Sequence, residues 1–344
     1  MKLFVPGRIC LLGEHSDWAS GYRTQNPDIP KGKAIVAPTT QGLYATIAKD
    51  ERLIICSTMP DGKRLEPAAI PMTLEALQHA AQGNDFFRYV AGVGYHMKKI
   101  YGVGGLHIDN YKTDLPIQKG LSSSAAICVL TARAFNKIYG LNLSIEQEME
   151  AAYQGERLTG SACGKMDQLC AFSTATVVTF DGPNLDIEEL KPKRPLWLLV
   201  VDLQGSKDTT RILRDLNDCY PFPKTDIHRQ VQLYLGKQNA NLTKQATDAI
   251  LNGNVSQLGK LMTTAQEQFD AHVAPACPAQ LQAPLLHDVL AFPPIQHLIL
   301  GGKGVGSQGD GCAQFLVNDQ QTQAQVAEII RQQLHLPCLP MCVG

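Results

Sequence analysis

PIQKGLSSSAA, residues 116–126, joins a lysine, a glycine and three serines to the start of the clearest helix in the sequence. Apolar residues recur at helical spacing after the serines and predict a helix at residues 124–139, which Gly140 ends. A helix N-terminus presents unpaired N–H groups and a partial positive charge, so it favours an anion. Serine hydroxyls can bind phosphate oxygens or Mg²⁺. The segment therefore predicts a phosphate site; a serine that only caps the helix is the alternative.

A second polar segment follows the first apolar stretch. Residues 6–18 read PGRICLLGEHSDW, so Glu14, His15 and Asp17 stand at a junction between strand and loop. Carboxylates accept hydrogen bonds from hydroxyls, and an imidazole can donate or accept. This residue set suits a ligand with several hydroxyl groups. The alternative is a solvated turn after a buried strand.

A glycine-rich segment, GGKGVGSQGDGCA at residues 301–313, joins two predicted strands. Glycine adopts backbone angles that other residues avoid, so such a turn can approach a ligand closely. Gly304, Gly306 and Gly309 match the spacing Gly-x-Gly-x-x-Gly, which would suggest a dinucleotide-binding oxidoreductase. That fingerprint requires a helix next, whereas the residues after Gly311 predict a strand. A structural hairpin is the remaining alternative.

Two further carboxylates stand near predicted helices. Asp167 lies beside Lys165 in the loop CGKMDQLC, residues 163–170, and Glu156 is next to Arg157 in a helical stretch. Exposed ion pairs of little energetic consequence are the alternative for both. The cysteines and histidines lack the repeated Cys-x₂₋₄-Cys spacing of a closed zinc site, so buried thiols are favoured over structural zinc.

The composition is that of a globular chain. Its 344 residues carry 31 Lys and Arg against 32 Asp and Glu, a formal net charge of −1, and 44% of them are hydrophobic. These values exclude intrinsic disorder and give no support for a nucleic-acid or anionic-membrane partner. The sequence contains no secretory signal and no apolar run long enough for a transmembrane helix. We therefore expect a cytoplasmic protein whose 10 cysteines are thiols.

The pattern of elements predicts an α+β fold. Strands are predicted at residues 2–5, 9–12, 34–36, 43–47, 52–56, 105–109, 175–180, 196–201, 297–300 and 313–317. Helices are predicted at residues 86–101, 124–139, 145–155, 227–235, 242–251, 255–269, 280–290 and 321–334. The pair Pro6-Gly7 predicts a turn. A Lys/Pro/Arg run at residues 192–195 separates a strand-rich half from a helix-rich half, which predicts domains at residues 1–192 and 193–344.

In this order and at these separations, the three segments resemble those of the GHMP kinase superfamily over residues 2–317. Residues 6–18 and 163–168 are most similar to galactokinase-like anomeric sugar kinases, a group that includes galactokinase, glucuronokinase and arabinokinase. Arg8 favours a sugar, because mevalonate kinases usually carry Lys at that position. The resemblance implies a two-domain fold, with a ribosomal-S5-like N-terminal domain and an α+β C-terminal domain.

The resemblance also implies roles for individual residues. Asp167 would receive the proton of the acceptor hydroxyl or orient that hydroxyl, beside Arg8. Glu14, His15 and Asp17 would bind sugar hydroxyls. The residues implied to bind ATP are Lys119, Gly120, Leu121, Ser122, Ser123, Ser124 and Ala125. Ser124 and Glu156 would also bind Mg²⁺. A supporting loop would contain Gly304, Gly306, Gly309 and Gly311.

The implied activity is transfer of the γ-phosphate of MgATP to a hydroxyl of a free sugar or sugar acid, with the anomeric hydroxyl expected. A mevalonate-kinase-like enzyme stays open as an alternative, as does a non-catalytic sugar- or ATP-sensing protein on the same fold. The presence of Arg8, Ser124, Glu156 and Asp167 favours the enzyme. The expected partner is a small-molecule sugar, without nucleic acid or membrane, and the oligomeric state is left open.

Overall fold

The computed structural model describes residues 1–116, 119–161 and 163–344. The strands are β1 (Lys2–Leu12), β2 (Gly32–Asp50), β3 (Arg52–Ser57), β4 (Ala68–Pro71), β5 (Gly105–Thr113), β6 (Ala175–Asp181), β7 (Asn184–Leu190), β8 (Leu196–Asp202), β9 (Ile299–Gly304), β10 (Cys312–Val317) and β11 (Cys338–Val343). The helices are α1 (Ser16–Gly21), α2 (Leu74–Gln82), α3 (Arg88–Tyr101), α4 (Ser123–Tyr139), α5 (Ile145–Leu158), α6 (Thr209–Asn217), α7 (Asp226–Leu233), α8 (Asn239–Asn252), α9 (Val255–His272), α10 (Pro278–Leu281), α11 (Pro284–Leu290) and α12 (Gln320–Leu334). A π-helical turn spans Tyr234–Gln238, and a 3₁₀ turn spans Asp167–Ala171. Helices and largely antiparallel sheets are mixed, which confirms the α+β class.

The first strand differs from its prediction, because β1 continues through Pro6-Gly7 without a turn. A side chain at Gly7 would meet the main-chain oxygen of Leu121 at 2.7 Å. The N–H of Arg8 donates to that same oxygen at 3.1 Å. Gly7 therefore marks a close approach of two segments rather than a reversal of the chain.

Two other predictions need correction. The strands predicted at residues 34–36 and 43–47 belong to the single long strand β2. The helix predicted at residues 280–290 is divided into α10 and α11, with Ala283 between them in the left-handed conformation at φ 44°. Pro284 has no N–H to continue the helical hydrogen bonds, so a new helix starts there.

The chain forms two compact units. The first comprises Met1–Arg8 and Pro38–Ser173, and the second comprises Ile9–Ala37 and Thr174–Gly344. This division differs from the predicted one at residues 192 and 193, because the long strands β1 and β2 each supply residues to both units. As the boundary between the two family domains, residue 192 stays a prediction.

In the first unit, strands support the helices that carry candidate site residues. β2 pairs antiparallel with β5, β5 pairs parallel with β3, and β3 pairs antiparallel with β4. Helices α3 and α5 cross at Gly92 and Gly155, where a side chain at Gly92 would lie 2.2 Å from the Gly155 main-chain oxygen. This close contact places Glu156, the next residue of α5, in the interior of the unit.

In the second unit, the antiparallel sheet β11-β8-β10-β9 packs on a core that includes Leu199, Val201 and Phe315. β9 and β10 form a hairpin around the glycine-rich turn, so the strand predicted after Gly311 is confirmed. Helix α9 lies against β9 at a second close contact of main chains. Among the described residues, none of the helices combines the length and the hydropathy that a bilayer crossing requires.

Candidate active site

Two donors hold Asp167 in the first unit. Its Oδ1 accepts a hydrogen bond from the Arg8 guanidinium and another, at 2.9 Å, from the Ser122 hydroxyl. Arg8 is buried, and its Nη1 donates to the Gly120 main-chain oxygen at 2.9 Å. The structure thus brings together the predicted catalytic carboxylate, the predicted arginine and the serine-rich loop. Asp167 keeps 27% of its side chain exposed, so a ligand can reach it.

The serine-rich loop takes a path that leaves the start of α4 without a side-chain cap. Gly120 and Ser122 both adopt left-handed backbone angles, with φ at 76° and 57°, and α4 begins at Ser123. The Ser122 hydroxyl makes no capping hydrogen bond, because it donates to Asp167 instead. The alternative of a capping serine is therefore wrong for Ser122. Residues 117 and 118 of the predicted segment lie outside the described residues.

Glu156 is buried and hydrogen-bonded, so the alternative of an exposed ion pair is wrong for it. Gln168 Nε2 donates to its Oε2 at 2.7 Å, and the Ser124 hydroxyl lies close enough to lower the pKa of the carboxyl. Burial raises the pKa of Glu156 to about 7, and the nearby Asp167 charge adds to the rise. A carboxyl group with this pKa is about half ionised near neutrality, and a bound cation would shift it to the charged form.

Ser124 and Glu156 together suit a magnesium ion. Mg²⁺ prefers oxygen ligands and is commonly held by one or two carboxylates with waters and substrate phosphates. The hydroxyl and the carboxylate lie close to each other beside the first turn of α4. Within the described ranges, no group of three or more His, Cys, Asp or Glu side chains could hold a metal. Such a site would take its other ligands from a nucleotide and from water.

In the second unit, Glu14 pairs with Lys303, a residue that the sequence reasoning passed over. Lys303 is 1% exposed in β9, and its ammonium donates to Glu14 Oε1 and to the Gly304 main-chain oxygen, the latter at 2.9 Å. Asn239 donates to the main-chain oxygen of Glu14 at 3.3 Å and fixes the turn. One feature of the sequence could have identified Lys303 as a site residue: it is a lysine inside a glycine-rich strand, where a small or apolar residue is expected.

His15 is a neutral hydrogen-bonding group in a packed environment. Its Nδ1 accepts from the Trp18 indole N–H at 3.0 Å, and its ring stacks on Phe269 with 6.1 Å between centroids. Burial lowers the pKa of His15 to about 4, and the charges of Lys207 and Lys303 lower it further. Because Nδ1 accepts, the single proton of the neutral ring resides on Nε2, which is therefore a donor.

The predicted loop glycines serve the packing of the hairpin. Gly306 and Gly309 adopt left-handed angles with φ at 63° and 73°. A side chain at Gly304 would lie 2.0 Å from the Gln308 Oε1, and one at Gly311 would lie 2.9 Å from the Lys207 ammonium. These glycines make room for the protein's own side chains. Asp17, the last predicted sugar ligand, lies partly exposed in the first turn of α1.

Comparison with known proteins identifies the fold and one domain within the chain. The family of GHMP kinases N terminal domain matches residues 88–174. The galactokinase of Pyrococcus furiosus is 25% identical over 303 residues, which cover 79% of this chain and 78% of that protein.

Two solved structures share the fold over the whole chain. The Lactococcus lactis galactokinase complexed with galactose has a TM-score of 0.70 and 18% identity, and the alignment covers 99% of this chain and 92% of that one. The Methanococcus jannaschii mevalonate kinase has a TM-score of 0.72 and 18% identity, covering 100% of this chain and 98% of that one. At these identities the likeness concerns the fold alone.

Together, the matches define a phosphotransferase of small molecules whose acceptor is an alcohol group. Within this chain, residues 88–174 match the N-terminal domain of GHMP kinases, and 79% of its length is similar to a galactokinase.

Proposed function

We propose that this protein transfers the γ-phosphate of MgATP to a hydroxyl of a free sugar or sugar acid, the anomeric hydroxyl being the expected acceptor. The galactokinase relatives support a sugar as the acceptor. The observation that carries the proposal is the arrangement of Arg8, Ser122 and Asp167. Both donors bind the same Asp167 oxygen, and within the described ranges Oδ2 of that carboxylate has no hydrogen-bond partner. Oδ2 can therefore accept a hydrogen bond from an acceptor hydroxyl.

Asp167 and Arg8 would act on the transferred group in different ways. Phosphoryl transfer passes through a loose transition state, so the protein contributes mainly by positioning and by charge stabilisation. Asp167 receives the hydroxyl proton or orients the hydroxyl. Arg8 remains charged at all physiological pH values and stabilises negative charge on the phosphoryl group.

The serine-rich loop would bind the nucleotide. Gly120, Leu121, Ser122, Ser123 and Ser124 wrap the β- and γ-phosphates, and the uncapped start of α4 supplies N–H groups and a partial positive charge. Lys119 and Ala125 flank this loop. Ser124 and Glu156 would hold Mg²⁺, which neutralises phosphate charge when bound.

Glu14, His15 and Asp17 would bind the sugar. Carboxylate oxygens accept from sugar hydroxyls, and the His15 Nε2–H donates to a hydroxyl oxygen. The second unit keeps Glu14 and His15 largely out of solvent. A hydrogen bond made there loses less of its strength to competing water.

A mevalonate-kinase-like activity is the second candidate. The likeness in fold to the Methanococcus jannaschii mevalonate kinase is as good as that to the galactokinase structure. Arg8 argues against it, because mevalonate kinases usually carry Lys at the corresponding position.

The test is an ATP-consumption screen with Mg²⁺ and separate acceptors. Galactose, glucuronate, galacturonate, arabinose, fucose and mevalonate form the panel, and ³¹P NMR of the product locates the phosphate. A sugar 1-phosphate is the expected product. Turnover of mevalonate alone would favour the second candidate. Binding of ATP and sugar without turnover would favour a sensing protein.

A further inference from the structure

The ion pair between Glu14 and Lys303 joins residues that are 289 positions apart in the chain. Both side chains are almost completely buried, with 8% of the Glu14 side chain and 1% of the Lys303 side chain exposed. Removing two charges from water is costly, so such a pair is retained only with good geometry and additional hydrogen bonds. The surroundings of this pair supply them.

Lys303 is fixed from several sides. Its ammonium donates to the Gly304 main-chain oxygen at 2.9 Å, and Gln266 of α9 accepts from the Gly304 N–H at 2.7 Å. Gln314 stands opposite Lys303 in the β9–β10 register and donates to the Cys10 main-chain oxygen at 2.9 Å. Glu14 and the Gly304 oxygen therefore hold the ammonium, while Gln266 of α9 and the pairing with β10 fix the main chain beside it.

Glu14 uses only one carboxylate oxygen in this pair. Lys303 binds Oε1, and across the part of the chain that the structure describes, Oε2 has no hydrogen-bond partner. A buried carboxylate without a counter-charge takes up a proton, whereas one beside an ammonium keeps both oxygens as acceptors. Lys303 thus leaves Oε2 as a fixed acceptor.

We propose that Lys303 is a positioning residue, which holds the Glu14 carboxylate charged and oriented so that Oε2 accepts a hydrogen bond from a substrate hydroxyl. This inference rests on the proposed function of Glu14 as a sugar ligand. Lys303 itself touches no substrate in this proposal, and its whole effect passes through Glu14.

The test compares Lys303→Met, Glu14→Gln and the double variant by steady-state kinetics at pH 6 to 9. The acceptor is whichever of galactose, glucuronate, galacturonate, arabinose and fucose gives the highest turnover with the unmodified enzyme. Lys303→Met should raise the KM for the sugar at least tenfold at pH 7, change kcat less than threefold, and leave the KM for ATP unchanged. Lys260→Met, an exposed change on α9, is the matched control and should have no effect.

The pH profile separates positioning from general structural support. In Lys303→Met, the KM for the sugar should fall as the pH rises, because the unpaired Glu14 regains its charge. The double variant lacks both the carboxylate and the ammonium, so its raised KM should not vary with pH. Other titratable groups nearby include His15, Lys207, Tyr234, Asp270 and Cys10. The pKa of Tyr234 is raised by burial and by the Glu14 charge, so Tyr234 stays neutral over this range.

The double variant tests whether Lys303 acts through Glu14. It carries no unpaired buried charge, so it folds even if Lys303→Met does not. Its KM should be no higher than that of Glu14→Gln, since removing Lys303 costs no further sugar contact once Glu14 cannot ionise. The proposal would be overturned if the two substitutions raised the KM for the sugar additively in the double variant. It would also be overturned if Lys303→Met had the same KM for the sugar as the unmodified enzyme. Either result would leave the sugar kinase activity in place. No turnover of any sugar by the unmodified enzyme would overturn the proposed function first and this inference with it.

Discussion

Ser122 donates a hydrogen bond of 2.9 Å to the Oδ1 atom of Asp167, across 45 residues of sequence. The same oxygen accepts a hydrogen bond from Arg8, so the loop before α4 and the candidate catalytic carboxylate belong to one hydrogen-bond network. Any movement of the serine-rich loop on nucleotide binding would therefore act directly on Asp167. This link motivates the first two predictions.

Asp167→Asn should lower kcat about 10²–10⁴-fold, the usual contribution of a general base. The substitution keeps the size of the side chain and removes its charge, so the affinities for sugar and ATP should change little. Single-turnover kinetics with MgATP would measure the chemical step. Asp288→Asn, an exposed change on α11, serves as the control. A loss smaller than about tenfold, or ~1.4 kcal/mol, would make Asp167 a structural residue.

Ser124→Ala should weaken Mg²⁺-dependent turnover, because the affinity for the ion falls. The hydroxyl is a proposed ligand of the ion and lies close to Glu156, so the Mg²⁺ concentration for half-maximal activity should rise about tenfold, or ~1.4 kcal/mol. A Mg²⁺ titration at saturating ATP gives this value. Ser173→Ala, at an exposed position, should leave it unchanged. Equal Mg²⁺ requirements in both variants would exclude Ser124 as a ligand.

Asp17→Ala should raise the KM for the sugar and leave the KM for ATP nearly unchanged. A lost hydrogen bond to the substrate that is equally strong in the transition state alters KM without altering kcat. Asp17 lies partly exposed in the first turn of α1, so its loss should not unfold the protein. Initial rates with each substrate varied in turn would measure both constants. A parallel rise in both KM values would place Asp17 outside the sugar site.

The stability of the fold should fall in acid because of His15. Burial lowers the pKa of His15 to about 4, whereas the unfolded chain binds this proton near pH 6.5. Between these values the unfolded state binds more protons, so stability decreases as the pH falls from 6.5 to 4, by roughly 3 kcal/mol in total. His15→Asn should therefore lose less stability over this window.

Urea unfolding at pH 7 and pH 4.5 would measure the effect for His15. His79→Asn, which changes an exposed histidine in α2, should keep the pH dependence of the unmodified protein. If His15→Asn kept the same dependence, His15 would not be the group responsible.

Strong local patterns in the sequence determined several elements. The helical periodicity and the closing glycine of α4 predicted its range within one residue, from Ser123 to Tyr139. The strand after Gly311 was also predicted, which excluded the dinucleotide fingerprint. Local rules failed at Gly7, because a Pro-Gly pair commonly forms a turn, and nothing nearby in sequence reports the Leu121 main chain against it.

The sequence by itself determined which residue types stand in the candidate site, through Arg8, Glu14, the serine-rich loop and Asp167. Only the tertiary structure decided their partners. Arg8 meets Asp167 across 159 residues, and Glu14 meets Lys303 across 289. Contacts at such separations leave no periodic signal in the chain. A buried lysine, moreover, is stable only where the fold places a carboxylate beside it. The role of Lys303 therefore could not be predicted without the tertiary contact to Glu14.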